Sequence, residues 1–394
     1  MINFPTDLTI DSCEAFVNGL EEASPSEALY LPSEFNNALF GGVAAAIQAI
    51  NTWGRLSSSR EIVLGGNSEE AQEYKDEVVN RPHKFNAAML AKKIVLSSTG
   101  ADIRKDVNIA ARGAIESQAG NKHGQQRGAL CWFSFVDHSS KGFDKNFYTQ
   151  SSEGGAIPRQ ISQIENIIKS MVEKSIGVLG AAQKLSSDDM QHLGRIFFEL
   201  FLNTHEHGSR GHSRDVWLRP GQRVIYSNGI SLFDKALEKR TQRERGLSTY
   251  LQTHRVDEVE KTRFIEISII DSGLGFFERW CADKNESAPE DDLGYEYSII
   301  KKCFSARQTS SGKDNKGLGL PVVMDRLTKL NGFMKVRSGR LSLYRNFIAQ
   351  PYAPGDSCDF SDWVTGLPAN ESLTQLGWVS GVAITFLIPL EPKQ

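Results

Sequence analysis

The sequence predicts an α/β protein built of two units, residues 1–150 and residues 160–394. Three observations predict it. The chain is 394 residues long, more than a single core usually organises. Short apolar runs alternate with helical apolar spacing through the first 150 residues, the pattern of strands and helices in turn. Between the halves, residues 139–158 are rich in Ser, Gly, Lys and Asp and read as a linker.

In the first unit, residues 28–31 and 61–64 read as strands. Residues 38–53 read as a helix, because Leu39, Val43, Ile47 and Ile50 recur at helical spacing. Residues 87–95 and 107–118 also read as helices, and 129–136 as a strand. The succession of Leu29 to Leu31, a helix through Ala45, and Ile62 to Leu64 resembles a STAS-like regulatory domain. His83, His123 and His138 are isolated from one another in sequence and read as packing or surface residues.

In the second unit, apolar residues recur at helical spacing from Ile161 through Ile164, Ile167, Ile168 and Met171, and again over 190–207. Ser186, Ser187 and Asp188 offer N-cap chemistry to the later helix. Residues 263–270 are rich in β-branched side chains and read as a buried strand. A helix over 320–330 and strands near 333–336, 341–344 and 382–388 complete the pattern. Neither an internal repeat nor a low-complexity tract is visible.

A hydrophobic content of 40% with 24% charged residues is that of a globular rather than a disordered chain. The net charge of -3 supplies no general attraction to nucleic acid or anionic lipid. A local cationic run, 235–245, also carries Glu238 and Glu244 and reads as a solvated helix face. Cys13, Cys131, Cys281, Cys303 and Cys358 are scattered and never form a CxxC pair, which fits a reducing compartment rather than disulfides or zinc. No apolar stretch approaches the ~20 residues that span a bilayer, and no secretory leader is visible in residues 1–9. A cytoplasmic protein, away from membranes and nucleic acid, is expected.

Three segments carry chemistry. On a helix, Glu199 and Asn203 lie one turn apart on one face, with His207 four residues further on. An amide oxygen suits magnesium, which keeps most of its waters, and a carboxylate one turn away can take a proton from a water. Asp271 ends a predicted strand, where its carboxylate can accept a hydrogen bond from an exocyclic amine and so favour adenine. Gly273 and Gly275 follow it and let the backbone turn and approach a ligand. Lys316, Gly317, Gly319 and Leu320 stand at the start of a predicted helix, whose amides can bind phosphate. Read singly, each has a bland counterpart: an amphipathic helix, an Asp-Ser-Gly turn, a glycine cap. No GxxxxGK[ST], GxGxxG or HExxH motif is present. His205, His207 and His212 beside Glu206 do not share one helix face, which argues against a transition-metal cluster.

In this order, the three segments resemble the GHKL ATPase superfamily, which includes type II topoisomerase ATPase domains, heat-shock and mismatch-repair ATPases, histidine kinases and anti-sigma-factor kinases. Glu199 to His207 looks like its N box, Asp271 to Gly275 its first glycine box and Gly317 to Leu320 its second. Thr385 in Gly381 to Phe386 sits as the family's threonine does in the closing strand. The resemblance covers about residues 160–390. It implies an α+β two-layer sandwich of Bergerat type, binding ATP and magnesium. Asn203 would hold the magnesium, Asp271 the adenine amine, and the glycines would give backbone approach. It implies a lid over about 276–316, whose Arg307, Lys313 and Lys316 are equally open as phosphate contacts. Homodimerisation is a further implication.

Two departures bear on function. About 37 residues separate the strands near Tyr344 and Val382, with Trp363 and Trp378 among them, a length that suggests a functional or partner surface. A downstream domain donating a lysine to the γ-phosphate, as topoisomerase-like members have, is not expected after Thr385. Glu199 stands where histidine kinases commonly carry asparagine, and no histidine lies in 139–191 to accept a phosphoryl group. The expected function is therefore a glutamate-assisted ATPase acting as a nucleotide-driven switch, with a partner met through the N-terminal unit. A serine kinase of the anti-sigma-factor type and a non-hydrolysing ATP-binding regulator are the alternatives.

Overall fold

The computed structural model describes residues 1–36, 40–66, 71–137, 143–150, 156–179, 185–232, 245–254, 262–286, 292–305 and 319–390. Helices and sheets are mixed, as expected. In a first sheet, β1 (Ile2–Asn3), β2 (Leu29–Leu31), β3 (Glu61–Leu64) and β4 (Lys93–Leu96) run parallel in sequence order. Parallel neighbours require crossovers. These are α1 (Ile10–Glu22), α2 (Gly42–Leu56), and the pair α3 (Ala71–Val79) and α4 (Pro82–Leu90), while α5 (Arg104–Gly120) follows β4.

The single helix expected over 87–95 is corrected. Proline at the first helical position starts α4, Ala91 turns extended, and Lys93–Leu96 pairs with Glu61–Leu64 as β4. The three-residue apolar run Ile94–Leu96 has no period of its own, and an adjacent strand decides its conformation.

The second sheet is antiparallel throughout, in the order β13-β12-β11-β14-β10-β9-β6-β5. Its strands are β5 (Gln125–Arg127), β6 (Leu130–Val136), β9 (Gln222–Leu232), β10 (Thr262–Asp271), β11 (Phe333–Gly339), β12 (Leu341–Asn346), β13 (Ser361–Asp362) and β14 (Val379–Pro389). The strand expected over 129–136 is thus present, but as part of this sheet. The two sheets divide before residue 125 rather than at 150. The described part of the expected linker is structured as well. It forms a hairpin of β7 (Tyr148–Gln150) and β8 (Ala156–Pro158), with Phe147 and Tyr148 buried in the larger core.

The strand pleat separates two faces of the second sheet. On one, Ile265, Ile267, Ile269, Ile384, Phe386 and Ile388 pack under α6 (Ile161–Gly177), α7 (Ser187–Asn203) and the helix Gly319–Lys329. On the other, Val224, Tyr226, Ile270 and Ala383 meet Val43, Ala44 and Ile47 of α2. The opposite side of α2 places Ala46, Ala49, Ile50 and Trp53 in the core of the first unit. Twelve of the fifteen residues of α2 are buried, as a helix wedged between two sheets requires. A short helix α8 (Arg245–Gln252) adds Leu247, Tyr250 and Leu251 on this same side.

After β10 come α9 (Gly275–Lys284) and α10 (Leu293–Phe304), and the helix Gly319–Lys329 is α11. Ile300 and Phe304 of α10 are fully buried in the main core. The expected lid is therefore corrected for residues 276–286 and 292–305, whose helices are anchored in the body, while 287–291 lie outside the described residues. Residues 306–318 lie outside the described residues, with Arg307, Lys313, Lys316 and Gly317 among them, as does the cationic run up to residue 244.

The long connection between β12 and β14 also departs from expectation, because much of it is engaged internally. Trp363 packs with Phe40, Phe333 and Tyr344. Trp378 Nε1 donates to Glu278 Oε1 of α9 at 2.8 Å, and the Gly377 amide donates to Asn18 Oδ1 of α1 at 3.1 Å. No described helix is long and apolar enough to cross a membrane.

Candidate functional site

Helix α7 starts where expected: Ser186 Oγ accepts the Asp189 amide at 3.0 Å, with Asp188 and Asp189 in the first turn. One face of α7 buries Leu193, Ile196, Phe197 and Leu200. Glu199 and Asn203 stand beside that stripe. Glu199 Oε1 lies 2.5 Å from Arg195 Nη2. Burial raises the carboxyl above its ordinary range, Arg195 opposes the shift, and Glu206 adds to it. The Asn203 Nδ2 atom is buried without a hydrogen-bond partner among the described residues.

The start of α11 faces these two side chains. A Cβ added at Gly319 would stand 2.7 Å from Glu199 Oε2 and 3.8 Å from Asn203 Nδ2. A side chain here would push the Glu199 carboxylate aside, so glycine lets the helix start and the carboxylate meet. Leu320, next in sequence, points into the main core and so anchors the helix start. Glu199, Asn203 and Gly319 are thus brought together by the packing of α11 on α7.

Past Asn203 the helix widens into a π turn, Thr204–Gly208. Such turns are often found at functional sites, and this one sets Gly208 against the end of β10. A Cβ at Gly208 would lie 2.4 Å from the Asp271 carboxyl carbon. The π turn also changes the expectation for His207, whose Nδ1 lies 3.3 Å from Arg214 Nη2. Arg214 Nε in turn donates to Asp283 Oδ1 of α9 at 2.9 Å.

Asp271 is 4% exposed. Its Oδ1 accepts the amides of Gly273 at 2.9 Å and Val382 at 3.3 Å, while Oδ2 accepts none from the described residues. Burial pushes its pKa up to about 6, against the pull of those two amides. Gly273 packs on Gly208, with a Cβ there reaching 2.7 Å from the Gly208 oxygen. Gly275 takes φ 81°, the left-handed region that glycine enters at no steric cost, and begins α9.

Thr385 is not with these residues. Ile270 pairs with Ala383 and Ser268 with Thr385, so the pleat turns the Thr385 side chain to the α2 face. There its Oγ1 accepts from Ser268 Oγ at 2.7 Å, and it lines a cavity of about 20 Å³ with Cys13, Glu14 and Lys335. The residue opposite Asp271 is Val382. The expectation for Thr385 is corrected by that register.

Three contributions to the neighbourhood of Asp271 were not expected from sequence. Arg223, its cross-strand partner, is buried and forms a bidentate pair with Asp137 at 2.8 and 2.7 Å, while also donating to Tyr148 Oη at 2.9 Å. Ser380 Oγ donates to the carbonyls of Ser272 and Gly273 at 3.0 and 3.2 Å. From α2, Asn51 and Arg55 reach the carbonyls of Asp271 and Ser272 at 3.3 and 3.1 Å. An Asn or Arg inside a strongly buried helical pattern is the available signal, but sequence does not identify its partner.

From Glu199 to Gly208 the helix rises about 13 Å, the length scale of an extended nucleotide. Carboxylate and amide meet a glycine helix start at one end, and a buried aspartate closes the other. Among the described residues no three His, Cys, Asp or Glu side chains gather as a metal cage. The donor set, one amide and one carboxylate near a helix start, has the chemistry that suits a hard cation. Comparison with known proteins found no matching family, no matching curated protein and no matching solved structure.

Proposed function

We propose that the chain binds magnesium ATP along the face formed by α7, the Asp271–Gly275 turn and the start of α11, in the manner of a Bergerat-type domain, and hydrolyses it. The observation that carries this reading is the approach of Gly319 to Glu199 and Asn203, with the Asn203 amide nitrogen buried and without a hydrogen-bond partner among the described residues. A buried donor left unpaired costs about 1–3 kcal/mol, which a ligand in this position would recover.

Asp271 accepts the exocyclic amine of adenine through Oδ2, the oxygen its own backbone leaves open. Guanine presents a carbonyl at that position, and two acceptors would face each other. The start of α11 faces the phosphates, where the helix dipole favours negative charge. Asn203 Oδ1 would be the protein ligand of magnesium, which when bound neutralises charge on the phosphates.

Glu199 holds the attacking water and takes its proton as the water oxygen bonds to the terminal phosphorus. The bond to the bridging oxygen breaks, leaving ADP and phosphate. The raised pKa of Glu199 makes it a better base than a solvated carboxylate. Arg195, which pairs with Glu199, favours the charged carboxylate once the proton has left. The switch so driven would act on a partner through the N-terminal unit.

The test is phosphate release by the purified chain with labelled ATP and magnesium. Release from wild type and its loss in Glu199→Ala are expected. A Glu199→Ala protein that hydrolyses at the wild-type rate would refute the mechanism. Label recovered on a partner protein would favour the serine-kinase reading instead.

A further inference from the structure

The last two turns of α2 change character. Its first half meets the sheet with Val43, Ala44 and Ile47, an ordinary apolar contact. From Gln48 onward the contact is polar and buried. Gln48 Nε2 donates to the Arg337 carbonyl at 3.1 Å, and Thr52 Oγ1 accepts the Ser380 amide at 3.1 Å. Asn51 Nδ2 donates to the Asp271 carbonyl at 3.3 Å, and Arg55 Nη2 to those of Ser272 at 3.1 Å and Pro220 at 2.9 Å.

Asn51 and Arg55 are one turn apart and therefore share a face. Burying such groups costs free energy unless every one is paired, and leucine or alanine would dock the helix at lower cost. The polar residues are spent on two successive carbonyls of one turn. That turn carries the Asp271 carboxylate on its first residue and the Gly273 amide that holds it on its third.

The contact continues into the N-terminal unit. Asn51 Oδ1 accepts from Asn86 Nδ2 of α4 at 2.8 Å, and the Asn86 carbonyl accepts from Gln222 Nε2 of β9 at 3.0 Å. Asn51, Asn86 and Gln222 are each at most 3% exposed. This chain of buried hydrogen bonds links the turn to α4 through Asn51.

We infer that Asn51 and Arg55 are positioning residues for base recognition: they fix the Asp271–Ser272 peptide planes from the N-terminal unit, and so couple that unit to occupancy of the nucleotide site. The inference rests on the adenine role proposed for Asp271. It makes the N-terminal unit part of the specificity of the site.

The test compares binding of ADP and inosine diphosphate, which lacks the exocyclic amine, to the full chain. Wild type is expected to prefer ADP. Asn51→Leu and Arg55→Met should each weaken ADP binding about tenfold, the order of one lost hydrogen bond, while binding of inosine diphosphate stays unchanged. Arg55→Lys, which keeps a charged donor on a shorter side chain, should recover part of the preference. Arg55 sits half-buried in the last turn, so Arg55→Met keeps the test available should Asn51→Leu fail to fold. Equal weakening of both nucleotides would mean a merely structural role and would overturn the inference, as would wild-type ADP affinity in both variants. A wild type that binds no ADP would instead sink the nucleotide reading, and this inference with it.

Discussion

Gly208 leaves the space that the Asp271 carboxyl group fills: a Cβ at Gly208 would stand 2.4 Å from its carbon and 2.6 Å from Oδ2. The carboxylate cannot swing aside cheaply, because the amides of Gly273 and Val382 hold its other oxygen. Gly208→Ala should therefore destabilise the fold by about 1–3 kcal/mol, the usual cost of overpacking. ADP binding should fall with it. Chemical denaturation and nucleotide titration of the one variant check both.

Asp271 itself should be a burden on the fold at neutral pH. Its folded pKa of about 6 lies above the ordinary 3.8, so its ionisation is disfavoured by folding. Stability from this group is complete below 3.8 and is lost as pH rises through about 6. Asp271→Asn should then stabilise the protein by up to about 3 kcal/mol at pH 7.5, and by roughly half that at pH 5. It should also abolish the preference for adenine. Denaturation at the two pH values, with and without ADP, is the measurement.

Ligand binding should show the same group with the opposite sense. Protonating Oδ2 turns the acceptor into a donor facing the adenine amine. ADP affinity should weaken by roughly tenfold per pH unit once the pH is well below the carboxyl's pKa. Titration calorimetry between pH 5 and 8 should show the decline, and a flat profile would argue against Asp271 as the base contact.

Gly319→Ala should separate stability from turnover. The atom that a Cβ would meet at 2.7 Å is Glu199 Oε2, the free end of a flexible side chain. The carboxylate can move, so the fold should survive with a change within about 1 kcal/mol. Phosphate release should fall about a hundredfold, within the range for loss of a positioned general base. Equal melting curves with unequal turnover would be the signature.

The docking of α1 on the larger sheet can be tested at Glu14. Arg337 is 3% exposed, and its Nε and Nη2 donate to the two oxygens of Glu14 at 2.8 and 2.9 Å. Glu14→Ala would leave a buried charge whose remaining partners among the described residues are the carbonyls of Gly339, Leu341 and Gly377. The expected loss is about 3 kcal/mol, read by denaturant unfolding.

Elements with a clear local period were legible. The β-branched run of β10 is buried on both faces, and α7 carries its own cap and apolar stripe. The pair Glu199 and Asn203 needed nothing beyond one helical turn. Strand β9 is not legible because Arg223, Ser227, Asn228 and Gly229 dilute its apolar signal, and Arg223 is tolerated inside through its pair with Asp137 and its bond to Tyr148. Phe147 and Tyr148 were hidden in a stretch of linker-like composition. The position of Thr385 depended on phase: one residue of register decides which face a strand side chain meets, and that register belongs to the pairing with β10. Asn51 and Arg55 act on a turn more than 200 residues away, beyond the range of any local pattern.

The wedge made by α2 also sets an order of events during synthesis. Gln48 and Gly381, which meet across it at 3.5 Å, are 333 residues apart in the chain. The four-stranded parallel sheet can form early, from neighbouring segments, but the surface that α2 covers does not exist until β14 joins β10 and β11. Contacts of such separation carry a high loop-closure cost and form late. Until then one flank of α2 stays exposed, with Val43, Ala44 and Ile47 uncovered, and the nascent chain is most open to misassembly in that interval.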